Sequence, residues 1–106
     1  MQKTKRKALE NAGWKIGDVS EFLELTPEET ALIEMRLALS HALQKHRKTQ
    51  HLTQIDLAKR LGSSQSRVAK MEAADSSVSF DLLIRGLLAA GAKNTDIANA
   101  IGQVST

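Results

Sequence analysis

Apolar residues recur at helical intervals along most of the chain, and polar capping residues mark where each helix begins. From Thr26 a stripe of Ala31, Leu32, Met35, Leu39, Ala42 and Leu43 steps by three and four, predicting one long helix to about Lys48. Its opening, Thr26-Pro27-Glu28-Glu29, supplies a hydroxyl cap, a proline at the first helical position and acids in the first turn. Two short helices follow, over about 54–61 and 65–73, with Leu57, Leu61 and Met71 apolar at matching spacing. Ser79 caps a helix whose buried face is expected to hold Leu82, Leu83, Leu87 and Leu88 and which ends at Gly91. A last short helix runs from Asn94 to Ile101, with Ile97, Ala98 and Ile101 on one side. Ahead of all this, Trp14, Ile16, Val19, Phe22, Leu23 and Leu25 form an apolar cluster that predicts a helical turn or two near residues 18–24. Nothing has the period of a strand, and no segment repeats, so the fold class is all-α.

The same punctuation divides the chain into four parts. Residues 1–13 form a basic arm and 14–25 an acidic, apolar extension. Residues 26–91 are the main helical domain, and 92–106 a C-terminal helix available for a dimer contact. With 106 residues there is enough chain for one helical core and not for two.

The segment Gln54–Ala73 is the most constrained. Ala58 is small where two helices must cross closely, and Gly62 stands where the chain leaves the first helix through a left-handed turn. Val68 lies ten residues after Ala58, placed to pack back against it. Thr53 and Ser64 each precede a helix, where a hydroxyl can cap free backbone N–H groups. A plain helical hairpin also accommodates a small residue and a glycine. The full set of Thr53, Gln54, Leu57, Ala58, Leu61, Gly62, Ser64, Gln65, Val68 and Met71 is far more specific, and it predicts a helix-turn-helix whose second helix enters the major groove of DNA.

Charge changes the picture because of where it falls. Residues 35–70 carry eight basic side chains against one acid, Asp56, whereas residues 10–34 carry seven acids against Lys15. Positive charge therefore sits on the segment that a phosphate backbone would have to attract and orient. On the second helix, whose N-terminal end is the part that reaches into the groove, Gln65, Ser66 and Lys70 are the candidates for base edges. Arg67 is a further candidate that can also turn to the backbone. Gln pairs a donor with an acceptor as adenine requires, and Lys suits the acceptors of guanine. Gln54 and Ser64 at helix N-termini, with Arg47, Lys48 and Lys59, are candidates for phosphate. Lys59 and Arg60 fit a solvated surface equally well, and Ser64 needs no role beyond its cap.

Other chemistries find little support. The chain has no cysteine, which excludes disulfides and a thiolate zinc site. His41, His46 and His51 are five apart, so each is rotated about 140° from the last and no face collects them for a metal. The serines of 63–66 and 76–79 suit caps and turns, no Gly-rich loop cradles a phosphate, and Trp14 suits a core better than a base stack. Neither an enzyme nor a cofactor is expected. No apolar run has the length of a membrane span or of a signal peptide, so the expected location is cytoplasmic.

Residues 36–90 resemble the lambda-repressor-like, Cro/CI or XRE-type, helix-turn-helix family. The resemblance is carried by Leu52-Thr53-Gln54, Leu57-Ala58, Leu61-Gly62, Ser64-Gln65-Ser66, Met71-Glu72 and Val78-Ser79-Phe80 followed by Leu83. It implies a five-helix domain and a sequence-specific regulator, expected to be a repressor, that binds double-stranded DNA as a homodimer. It also implies that Gln54 braces both a phosphate and Gln65. The acidic lead and the Phe22–Glu29 entry to the long helix resemble antitoxins of the HigA type, which repress their own operon and neutralise a RelE-like toxin by binding it. Ile55 departs from the family, which places an exposed polar residue there; burial by the N-terminal segment or by a partner would account for it.

Overall fold

A computed structural model describes residues 24–103, so the predicted basic arm and most of the apolar cluster, Trp14 to Leu23, lie outside the described residues. Five helices and no strand occur among the described residues: α1 (Pro27–Thr49), α2 (Gln54–Leu61), α3 (Gln65–Glu72), α4 (Phe80–Ala89) and α5 (Asn94–Gly102). The chain divides into two compact units, with the division in sequence between Glu34 and Met35. In the first, Thr26 Oγ1 accepts from the Glu29 amide at 3.1 Å while Glu29 Oε1 accepts from the Thr26 amide at 3.1 Å. This reciprocal cap starts α1 where the sequence places it.

The second unit is built around Leu39, Leu43, Leu57, Val68, Met71, Leu83 and Leu87, all fully buried. Each such side chain contributes roughly 1.5–3 kcal/mol by leaving water. Helices α2 and α3 have eight residues each, too few to persist alone in water, so caps and this shared core hold them. Ala58 and Val68 are both in the core, as the ten-residue spacing predicts. Helix α2 packs against α3 and α4. Gly86 lets α4 approach closely: a Cβ there would stand 2.5 Å from Met71 Cε and 3.3 Å from Leu43 Cδ1.

Four helices end by the same device. His51, Gly62, Ala74 and Gly91 adopt φ of 58°, 63°, 56° and 93°. Beyond each, an amide reaches back to a carbonyl in the last turn: Leu52 to Arg47, Ser63 to Ala58, Asp75 to Lys70 and Ala92 to Leu87, at 3.0, 2.9, 3.1 and 2.9 Å. These bonds satisfy carbonyls that a helix end otherwise leaves open, and they reverse the chain in two residues.

Two expectations need correction. Leu32 and Leu88, counted among buried stripes, are 52% and 48% exposed: Leu88 lies at the flank of its helix's apolar arc, whereas Leu32 shares the face of Leu39 and Leu43 but lies two turns before Leu39, ahead of the core residues. The apolar side expected of the last helix divides: Ile97 and Ile101 are half-buried and packed against the core, while Ala98 is exposed. Ile55 is 51% exposed among the described residues.

The cap of α2 makes a pH-dependent contribution. Asp56 Oδ2 accepts from the Thr53 amide at 2.9 Å, and Thr53 Oγ1 accepts from the Asp56 amide at 3.0 Å. The Thr53 backbone N–H first, then its hydroxyl, hold the Asp56 carboxyl below its ordinary 3.8. A carboxylate depressed in the folded state stabilises fully above its unfolded value, and that contribution disappears as pH falls through the folded value. The stability difference between wild type and Asp56→Asn should therefore be constant at neutral pH and shrink below the ordinary value of 3.8. A difference that stays flat through acid in urea unfolding would refute it.

Candidate nucleic-acid interface

Ser64 caps α3 through its Oγ, which accepts from the Arg67 amide at 3.2 Å. Helical geometry then turns Val68 and Met71 into the core and puts Ser66 and Lys70 on the opposite side. Gln65, Ser66, Arg67 and Lys70 are all exposed, so the four base-edge candidates share the outward surface of one short helix.

The base of that helix is anchored by an ion pair. Arg47, near the end of α1, donates from Nε to Glu72 Oε2 at 2.5 Å and from Nη2 to Glu72 Oε1 at 3.0 Å. Its Nη1 donates to the Leu52 carbonyl at 2.9 Å. The two side chains are 11% and 3% exposed, so the pair is nearly dry and doubly hydrogen-bonded. The hydrogen bond to Glu72, and then its charge, raise the Arg47 guanidinium above its already high value against the cost of burial. Arg47 was a phosphate candidate on sequence grounds. Its guanidinium is instead turned inward and occupied, which corrects that expectation.

From Glu72 the network continues outward. Gln54 Nε2 donates to Glu72 Oε1 at 3.3 Å, and Gln65 Nε2 donates to Gln54 Oε1 at 3.5 Å. The amide of Gln54 thus lies between Glu72 and Gln65, the bracing part of its expected role. Beyond that bond the exposed Gln65 amide has a second hydrogen and a carbonyl oxygen, the donor and acceptor that an adenine edge matches.

On the other flank of α3 is a notch of about 250 Å³, lined by Ser64, Ser66, Arg67, Lys70, Ser77 and Val78. Its far wall is the loop 73–79, shaped by Asp75 Oδ1, which accepts from the Ser77 amide at 2.9 Å and the Ser77 hydroxyl at 2.7 Å. Lys48 and Lys59 are exposed near the ends of α1 and α2. Arg60 donates to the Ala89 carbonyl at 3.1 Å and so tends the end of α4. Sequence reasoning missed Glu72 and Ser77 as parts of this surface. Glu72 is 25 residues from Arg47, and no local pattern announces a pair at that separation.

Among the described residues no group of three or more His, Asp or Glu is placed to hold a metal ion. No helix there is long and apolar enough to cross a membrane.

Removing one member of a buried pair strands the other. Glu72→Ala should lower stability by about 3 kcal/mol, because the Arg47 charge then has no counter-charge in a nearly dry site. A loss under about 1 kcal/mol in urea unfolding would show the pair to be peripheral.

A protein-family model described as helix-turn-helix matches residues 43–85. No curated protein and no solved structure matches the chain. The matched segment holds the end of α1, all of α2 and α3 and most of α4, and a helix-turn-helix is a DNA-binding regulatory domain rather than an enzyme family. Fold and match together show that residues 43–85 are similar to helix-turn-helix domains and support a DNA-binding transcription regulator.

Proposed function

We propose that the chain is a transcriptional repressor that occupies a roughly palindromic operator as a homodimer, reading each half-site with α3. The observation that carries this is the outward surface of α3, where Gln65, Ser66 and Lys70 stand exposed on a helix whose base is fixed by the Arg47–Glu72 pair. Gln65 and Lys70 meet base edges, Ser66 lies between them, and Arg67 turns toward the backbone. The α3 N-terminus at Ser64 and the exposed Lys48 and Lys59 meet phosphates; Gln54 contributes its helix-opening amide while its side chain braces Gln65. One such helix covers too few base pairs to single out a promoter, so two copies read half-sites about one DNA turn apart.

Gln65→Ala should weaken specific binding by about 1–3 kcal/mol and relax preference at one base pair per half-site. Binding to a panel of operator variants measures this. An unchanged preference profile means that Gln65 does not read sequence, and a footprint confined to a single half-site would defeat the dimer.

A second reading is favoured by the charge of residues 10–34, seven acids against Lys15. We propose that this stretch, with its six apolar side chains from Trp14 to Leu25, binds a basic RelE-like toxin, so that the repressor doubles as an antitoxin. Acidic rims mainly accelerate encounter, so salt should slow association with such a toxin more than it speeds release. Deleting residues 1–25 should abolish neutralisation and spare operator binding. A truncated protein that still neutralises would place the toxin contact elsewhere, and one that no longer folds would make the segment core.

A further inference from the structure

We propose that Arg36 is a positioning residue for DNA binding. It holds the loop 73–79 as the second wall of the notch beside α3, where a backbone phosphate is received. The proposal rests on the DNA-binding reading above. Arg36 continues the Leu39–Leu43 stripe one turn toward the start of α1, outside the segment that matches the family model. Its aliphatic stem follows the buried face while its guanidinium crosses to the loop. There Nη1 donates to the Val78 carbonyl, and the group lies 4.8 Å from the centroid of the Phe80 ring. The hydrogen bond is partly buried, and a guanidinium can donate to the carbonyl while it lies over the ring, which an ammonium does less well.

What Arg36 holds is the piece of chain that gives the notch its far side. Val78 is buried and lines the notch together with Ser77. The other wall carries Arg67 and Lys70, both exposed. Two cations, with hydroxyls from Ser64 and Ser66, make a seat for a tetrahedral anion. Asp75 shapes the inside of the loop and its amide donates to the Lys70 carbonyl, Val78 anchors the loop in the core, and Arg36 adds a long-range polar tie from α1. Freed from Arg36, Ser77 and Val78 no longer keep a fixed distance from Lys70, and the notch loses its shape while α3 stays in place. The specificity surface at Gln65 lies on the other flank of α3, braced by Gln54. The two are separable.

The test uses the full chain and a duplex of about 30 base pairs of mixed sequence, titrated over a range of NaCl concentrations. Arg36→Met keeps the apolar stem and removes the hydrogen bond and the cation. It should weaken binding by roughly tenfold near physiological salt and reduce the slope of log affinity against log salt by about one. Arg36→Lys, which keeps a donor and the charge, should recover part of both. Ser77→Asp, an exposed change that leaves the core alone, puts a negative charge into the notch and should weaken binding in the same salt-dependent way. A merely structural role for Arg36 predicts a different result, an equal loss at every salt concentration with the slope unchanged, and that result overturns the proposal. Ser77→Asp binding like wild type overturns it too, whether or not Arg36→Met folds. Wild-type protein that binds no duplex at any salt concentration would instead overturn the DNA-binding reading itself.

Discussion

The surface of α3 depends on an ion pair that lies beneath it. Arg47 and Glu72 join the end of α1 to the last residue of α3 by two hydrogen bonds in a nearly dry setting. A buried pair of this kind adds little net stability compared with two apolar residues of similar size, since desolvation offsets most of the attraction. What it does supply is direction. A carboxylate held from one side by a guanidinium has oxygen lone pairs left on the other, and Glu72 Oε1 accepts from Gln54 there. Gln54 in turn accepts from Gln65. Rotamer order is thus passed from the core to a solvent-exposed amide that would otherwise lose substantial side-chain entropy on meeting a base.

The second constraint is the short span of chain available between helices. Turning from α1 to α2 and from α2 to α3 within a few residues needs a left-handed residue at each helix end. The domain places one at His51, Gly62, Ala74 and Gly91. Glycine enters that conformation freely, whereas a side chain with a Cβ meets roughly 1–2 kcal/mol of opposition. The domain tolerates the cost at His51 and Ala74 because the returning bonds, Leu52 to Arg47 and Asp75 to Lys70, close the turns from outside. The first of these turns brings the Leu52 carbonyl to Arg47 Nη1, so the reversal and the ion pair support one another.

These two constraints explain what was legible in the sequence. Helix starts were, because Thr26, Thr53, Ser64 and Ser79 announce themselves by a hydroxyl next to an apolar period. The reversal at Gly62 was legible for the same local reason. Those at His51 and Ala74 were not, since neither residue type favours the conformation its neighbours impose. Core membership was correct where a residue sat at the centre of an apolar arc within the core's span, as Leu39, Leu83 and Leu87 do; it failed at the flank, as with Leu88, and ahead of that span, as with Leu32. The outward set on α3 followed from helical period alone. Arg47 was misassigned because a cation at a helix end looks the same in sequence whether it meets a phosphate or a carboxylate 25 residues away.

The arrangement around α3 divides recognition into two parts that share a helix and little else. On one flank Gln65 is tied through Gln54 to the core, so that under the proposed reading the base contact is ordered before DNA arrives. On the other flank Arg67, Lys70 and Ser77 border an open notch whose cations are exposed. Charge contacts of that kind gain mainly from released counterions, which needs field and proximity more than fixed geometry. Base contacts need geometry, since a misdirected amide leaves a donor or acceptor unpaired on a base edge. Under the proposed reading, rigidity is therefore concentrated at the base-reading flank, and the loop that Arg36 ties down carries order across to the flank proposed to hold the backbone.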